Sequence, residues 1–177
     1  MSTAPRAHAE HPICDLQIEY SLISRGIEND ILKSCRELGI GITAYGVLAR
    51  GLISGHWSKD RSAEKDFRHM SPRFQGSNLD ANLALVDSLR TIAAQVGASP
   101  AQVAIAWVAA QGGDIVPLVG ARRRDRLTES LGALEVKLTD AHLAALAKAF
   151  PPGAAAGGRY PDEHLKHMDS EKPAKAS

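Results

Sequence analysis

The sequence has few of the features that assign a function at a glance. It has two cysteines in 177 residues, Cys14 and Cys35. Neither belongs to a CxxC pair or to Cys/His ligand spacing, so no disulfide framework or zinc site is indicated, and both read as buried free thiols. No partner histidine stands at a telling position for a thiol nucleophile. There is no GxGxxG fingerprint, and Gly51-Leu-Ile-Ser-Gly55 lacks the Gly-Lys-Ser/Thr ending of a phosphate loop. GxSxG and HExxH are also missing, which removes the serine-hydrolase elbow and the helical zinc motif. His164 and His167 have no third ligand of matching spacing, and His11, His56 and His69 are isolated and read as surface or loop residues. Aromatic residues make up only 5%, and Trp57 and Trp107 read as packing residues rather than stacking platforms for nucleic acid.

An excess of one charge is lacking too. With 21 basic and 20 acidic residues the net charge is +1, so no nucleic-acid or membrane partner is expected, and any basic recognition must be local. No apolar run is long enough to span a bilayer, and Met1 to Glu10 has no signal-peptide centre; the cytoplasm is the expected location.

What is present is a strand–helix rhythm. The 44% hydrophobic content and the length favour one domain with a sizeable core. Ala4 to Ala9 resembles a helix end too short to stand alone, and Ile13 to Tyr20 reads as a strand. Ile27, Ile31, Cys35 and Leu38 keep helical spacing up to a stop at Gly39, and Ile40 to Tyr45 is a second strand. A long polar stretch, His56 to Asn78, shows no sustained period and reads as a functional or inserted loop. Helical spacing resumes over Leu79 to Val96. Ser99-Pro100-Ala101-Gln102 is a helix start that directs Val103, Trp107 and Ala110 to the core, and Gly112-Gly113 ends that helix. Ile115 to Val119 is a third strand. Thr139 caps a last helix with Leu143, Leu146 and Phe150 on its apolar side. Pro, Gly and Ala dominate from Pro151 onward, and Glu171 to Ser177 reads as disordered.

The chemistry concentrates in Asp114 to Ser130. A run of Ile, Val and Leu suits a strand buried on both faces, and Gly120 permits a sharp exit or a close ligand approach. Arg122, Arg126, Glu129 and Ser130 would fall along one side of a following helix. Two readings stand side by side: an anion site for a nucleotide phosphate, or a solvated face on which Arg126 and Glu129 form a surface pair. Gln17 and Tyr45 lie on the first strand and at the end of the second, where parallel α/β folds place ligands. Tyr45 followed by Gly46 can present its ring to a flat ligand, or pack in the core with a satisfied hydroxyl.

The sequence resembles the C-terminal half of the aldo/keto reductases, from about His11 to about Asp169. The carriers are His-Pro-Ile-Cys-Asp-Leu-Gln-Ile-Glu-Tyr-Ser-Leu (11–22), Glu-Leu-Gly-Ile-Gly-Ile-Thr-Ala-Tyr-Gly-Val-Leu-Ala-Arg-Gly-Leu-Ile-Ser-Gly (37–55) and Pro-Arg-Phe (72–74). Pro-Ala-Gln-Val-Ala-Ile-Ala-Trp (100–107), the arginine segment through Gly132, and Pro-Pro-Gly (151–153) follow in order.

The resemblance implies an α/β fold, a partial (β/α)8 TIM barrel holding roughly the last three βα units with parallel strands. Residues 1–153 would be the barrel half and 154–177 a partly disordered C-terminal segment. It implies NADP(H) as cofactor and a small-molecule aldehyde or ketone as substrate. Gln17 would touch the nicotinamide carboxamide and Tyr45 would stack on the nicotinamide ring. The backbone of Gly46, Val47 and Leu48, with Arg50 and Gly51, would lie near the pyrophosphate. Gly120, Ala121, Arg122 and Arg126 would hold the 2′-phosphoadenosine end, with Glu129 and Ser130 near the adenine. The chain departs from the common pattern at Gly46-Val47, at Ala121 and at Ser130. Gly46-Val47 and Ser130 remove hydrogen-bonding groups. The several arginines still favour a 2′-phosphate, hence NADP over NAD.

The family's catalytic Asp, Tyr, Lys and His come from the other half of the barrel, so no catalytic residue is assigned here. The expectation is a truncated chain, active only with a complementary N-terminal half, or else a non-enzymatic NADP-binding module or relic. Three parallel strands without closure expose two sheet edges, through which such a chain could self-associate. A flavodoxin-like sheet is the competing fold, distinguishable by strand order.

Overall fold

The computed structural model describes residues 3–57 and 67–168. Within them three parallel strands run in consecutive spatial order: β1 (Asp15–Glu19), β2 (Gly41–Tyr45) and β3 (Ile115–Pro117). Consecutive order is that of a barrel arc and not of a reordered flavodoxin-like sheet. Gln17 faces Thr43 and Glu19 faces Tyr45 across the first pair, and Thr43 faces Val116 across the second.

The connections follow local signals. After β1, a 3-10 turn (Gly26–Glu28) buries Ile27, and α2 (Ile31–Leu38) buries Ile31, Leu32 and Cys35. The single helix expected over Ile27 to Leu38 is thus broken at 29–30. Gly39 takes φ 68° and closes α2, as the left-handed cap position favours. Between β2 and β3 lie α3 (Gly76–Val96) and α4 (Pro100–Ala109). Ser99 Oγ accepts the Gln102 amide at 3.2 Å, and Gln102 Oε1 accepts the Ser99 amide at 2.9 Å. This reciprocal cap satisfies two donors that a helix start leaves free. Helix α4 is buried almost all round, from Val103 to Val108; Ala110, expected in the core, is exposed just past its end. No single helix among the described residues is long and apolar enough to cross a membrane.

Beyond β3 come α5 (Arg124–Leu131), a turn (Gly132–Glu135), α6 (Asp140–Ala149) and a short α7 (Asp162–Leu165). Thr139 caps α6, and Leu146 and Phe150 are fully buried beneath it. The N-terminal segment forms α1 (Thr3–Glu10), tied down where His8 Nδ1 accepts the Ile13 amide at 3.1 Å. The polar stretch is partly structured. Phe67–Met70 and Pro72–Phe74 are 3-10 turns, Phe74 packs edge-on to Trp57, and α3 begins at Gly76 rather than Leu79. Residues 58–66 of that stretch lie outside the described residues, as does the tail expected to be disordered (171–177).

The sheet is covered mainly on one face. Ile42, Ala44 and Ile115 are buried against helices, with Leu16 and Ile18 partly so; Asp15, Gln17 and Val116 on the opposite face are exposed. Two expectations fail here. The third strand is not buried on both faces: it ends at Pro117, Val116 is 62% exposed and Leu118 is 49% exposed. Among the described residues that face is covered only at the carboxyl end of the strands, where Arg159 buries Glu19. Cys14, at the entry to β1, is exposed, while Cys35 is buried and its thiol is pushed up chiefly by that burial.

Candidate functional site

The carboxyl end of β2 begins the site. Tyr45 is followed by Gly46 at φ 68°, and a Cβ there would stand 3.0 Å from Glu19 Cγ. A side chain there would strain the backbone and press on Glu19. The chain then stays unusual: Ala49 (φ 47°) and Arg50 (φ 58°) lie in the left-handed region without being glycine, and Gly51 follows at φ 91°. Such residues cost about 1–3 kcal/mol each and persist only where their surroundings hold them. The surroundings do so here. Gly46 carbonyl accepts the Ala49 amide at 2.7 Å, and Leu48 carbonyl accepts the Gly51 amide at 2.8 Å. Ser54 Oγ donates to Gly51 carbonyl at 2.7 Å, and Arg50 carbonyl accepts Arg68 Nη1 at 3.1 Å. The first two of these bonds use the Ala49 and Gly51 amides inside the loop and hold its left-handed residues in place.

Opposite this loop stands the segment leaving β3. Loop and segment enclose a cavity of about 400 Å³, within the usual range for a small-molecule site. Gly46, Val47, Leu48, Arg50, Gly51, Gly120, Arg126, Glu129 and Ser130, all expected from the sequence, line it together. Gln17 and Tyr45 are not among its lining residues; they lie on the uncovered sheet face, Gln17 exposed and Tyr45 half-buried, and Tyr45 leads directly into Gly46 of the lining. Ala121 and Arg122 are not among its lining residues. Arg122 precedes α5, so it does not share a helix face with Arg126 as the spacing suggested. Arg123 is still extended (ψ 142°) and the helix begins at Arg124; the Arg123 guanidinium donates to Asp125 at 2.7 Å and 2.9 Å.

The charged corner of the cavity holds a residue that its isolation in the sequence had hidden. His56 Nε2 meets both oxygens of Glu129, at 2.9 Å and 3.0 Å, and contacts Arg126 Nη1. Arg126 Nη1 donates to Glu129 at 3.0 Å. Burial raises the Glu129 carboxyl, but hydrogen bonds from Ser99, His56 and Arg126 outweigh it and hold the group below the usual range. Arg126 thus lines the cavity and is at the same time half of the ion pair that the solvated-face reading expected. His56 lies 73 residues from Glu129, so no local spacing could have joined them. Ser54, Ala101, Leu118 and Val119 complete the lining.

A second network backs the strand ends. Arg159 donates to Glu19 Oε2 at 2.7 Å, both side chains being about nineteen-twentieths buried, and also to the Tyr45 hydroxyl at 3.4 Å. Burial raises the Tyr45 phenol, and the bond from Arg159 opposes that rise. Glu19 stands two residues from Gln17, so period-two alternation could have placed it on the same sheet face. Its partner, 140 residues away, was out of reach. Among the described residues, no three His, Cys, Asp or Glu side chains could hold a metal ion.

Comparison with known proteins fits this geometry. The model of the aldo/keto reductase family matches residues 1–150. A protein named probable aldo-keto reductase 1, from Glycine max, is 41% identical over 177 residues, covering 99% of this chain and 51% of its own length. Among solved structures, a glycerol dehydrogenase from Gluconobacter oxydans superposes with a TM-score of 0.77 at 30% identity, over 84% of this chain and 46% of that one. A thermostable aldo-keto reductase solved with the inhibitor epalrestat gives 0.60 at 24% identity, over 82% of this chain and 43% of that one, and supports the fold alone. The chain spans about half the length of the relatives it matches.

Proposed function

Since the chain belongs to the aldo/keto reductase family, whose (β/α)8 fold it shares in part, we propose that it holds NADP(H) for the reduction of aldehydes or ketones. The observation that carries this reading is the cavity between residues 46–51 and 118–130, which nine of the cofactor positions implied by the resemblance line together. What supports a dinucleotide phosphate there is Arg126 in one wall, facing a loop of glycines and left-handed residues in the other.

On this reading Gln17 meets the nicotinamide carboxamide and Tyr45 offers its ring to the nicotinamide. The backbone of Gly46 to Leu48, with Arg50 and Gly51, lies along the pyrophosphate. Gly120 and Arg126 hold the 2′-phosphoadenosine end, while Glu129 and Ser130 border the adenine. Arg126, facing the cavity, takes the larger share of the phosphate, and Arg122 the smaller. The cofactor supplies a hydride to the carbonyl carbon when bound. The proton donor and its tuning partners come from a complementary N-terminal half, which also covers the open sheet face.

The test is NADPH oxidation with a panel of aldehydes and ketones, with and without that half. Turnover only in its presence supports the reading, and no turnover in either case overturns it as an enzyme. A second reading, an NADP-binding module without chemistry, is favoured by the exposure of Gln17 and Val116 on the face where a substrate would sit. Saturable NADPH binding without turnover would select it. Self-association through the open edges is the alternative to the complementary half, and sedimentation of the chain alone separates the two.

A further inference from the structure

The buried pair at the strand ends is unused by the cofactor reading. Glu19 and Tyr45 are register partners, so their side chains leave the sheet side by side on the same face. Arg159 reaches them from the segment after α6 and donates to both, at 2.7 Å and 3.4 Å. Glu19 Oε1 accepts Ser24 Oγ at 2.9 Å, and Arg73 Nη1 donates to that hydroxyl at 2.8 Å, so the carboxylate is held on both oxygens. The Arg159 carbonyl accepts Arg50 Nη1 at 2.7 Å, and the Arg50 guanidinium lies 4.4 Å from the Tyr160 ring centre. One dipeptide, 159–160, therefore fastens two elements that border the cavity: the end of β2 and the left-handed loop.

Stability is a poor explanation for such a pair. Desolvating two charges offsets most of their attraction, and an apolar replacement of both is often neutral or better. Orientation explains it better. We propose that Arg159 is a positioning residue, which holds the Tyr45 ring for the nicotinamide and, through its own carbonyl, fixes Arg50 in the cavity wall. This rests on the cofactor reading above. Glu19 complements it by neutralising Arg159 beside the nicotinamide seat. Without the carboxylate, the guanidinium would repel the cationic oxidised ring more than the neutral reduced one.

The experiment uses the full chain and its R159K, E19Q and E19Q/R159M variants. NADPH and NADP+ are titrated by fluorescence, and phenol ionisation is followed by ultraviolet absorbance against Tyr45→Phe controls. The double variant removes both charges of the pair, so near-ultraviolet circular dichroism and thermal midpoint stay close to those of the unaltered chain. Its NADPH affinity nevertheless falls about tenfold, the loss expected of a bond to a charged donor. R159K recovers part of that loss. E19Q alone weakens NADP+ more than NADPH. The Tyr45 phenol, raised by burial and lowered by Arg159, ionises at higher pH in the double variant.

A folded double variant that binds NADPH within about twofold of the unaltered chain, with an unmoved Tyr45 titration, overturns the role of Arg159 alone. No NADPH binding by the unaltered chain overturns the cofactor reading and this role with it.

Discussion

Residues 46–55 and 118–130 face each other across one cavity and keep their shapes by different means. The first wall is fixed by its backbone. It carries left-handed residues at Gly46, Ala49, Arg50 and Gly51, holds them with short hydrogen bonds, and buries Val47, Leu52 and Ile53. The second wall is fixed by side-chain charges. Arg126, Glu129 and His56 satisfy one another, while Leu127 and Leu131 of the same helix stay exposed. A preformed backbone cradle gives up no ordering entropy when an anion arrives. A self-compensated ion pair must instead trade partners, because a phosphate meeting Arg126 competes with Glu129. On the proposed reading, the first wall would set where a dinucleotide lies, and the second which dinucleotide is preferred.

Breaking the first wall should have the largest effect. Gly46→Ala puts a Cβ 3.0 Å from the pinned side chain of Glu19 at φ 68°. We expect a loss of about 2–3 kcal/mol in urea unfolding, together with loss of NADPH binding. A neutral result would mean that the loop is not held as described. The second wall should yield less. Glu129→Gln removes a carboxylate held below its usual range, and such a group stabilises the fold above its unfolded-state pKa and loses that contribution as pH falls through its depressed value. Because Arg126 is about one-third exposed, the advantage of the unaltered chain over Glu129→Gln at neutral pH is on the order of 1 kcal/mol or less. Thermal midpoints measured from neutral pH to acid should converge as Glu129 protonates, and a constant gap would count against the charge network. Arg123→Ala should do least: its pair with Asp125 is exposed, so neither the thermal midpoint nor NADPH affinity should move.

The same contrast marks what could be read from the chain. Only the entry to the first wall follows from local signals, because Tyr45-Gly46 ends a strand and β2 itself is bounded by the Gly39 cap. The left-handed turn at Ala49 and Arg50 has no signal in residue types that ordinarily avoid it. Helix α4 is legible from local signals, through Ser99, Pro100 and Gln102. The arginine segment is legible in composition but not in geometry. An apolar run looks the same whether one sheet face is covered or both, so Val116 and Leu118 were expected inside and are outside. Helical spacing put Arg122 beside Arg126, but Arg123 stays extended and the helix begins only at Arg124. The side-chain links that define the site, His56 to Glu129 and Glu19 to Arg159, join residues 73 and 140 apart and carry no periodic signature.

The central claim is that Arg126 makes this half of the fold an NADP site. It is tested most directly by titrating NADPH and NADH into the full chain and into Arg126→Ala. The unaltered chain should prefer NADPH by about tenfold or more, as a charge-assisted contact to a phosphate implies, and Arg126→Ala should bring the two affinities together by weakening NADPH alone. Equal affinities in the unaltered chain, or a preference that survives Arg126→Ala, would contradict it.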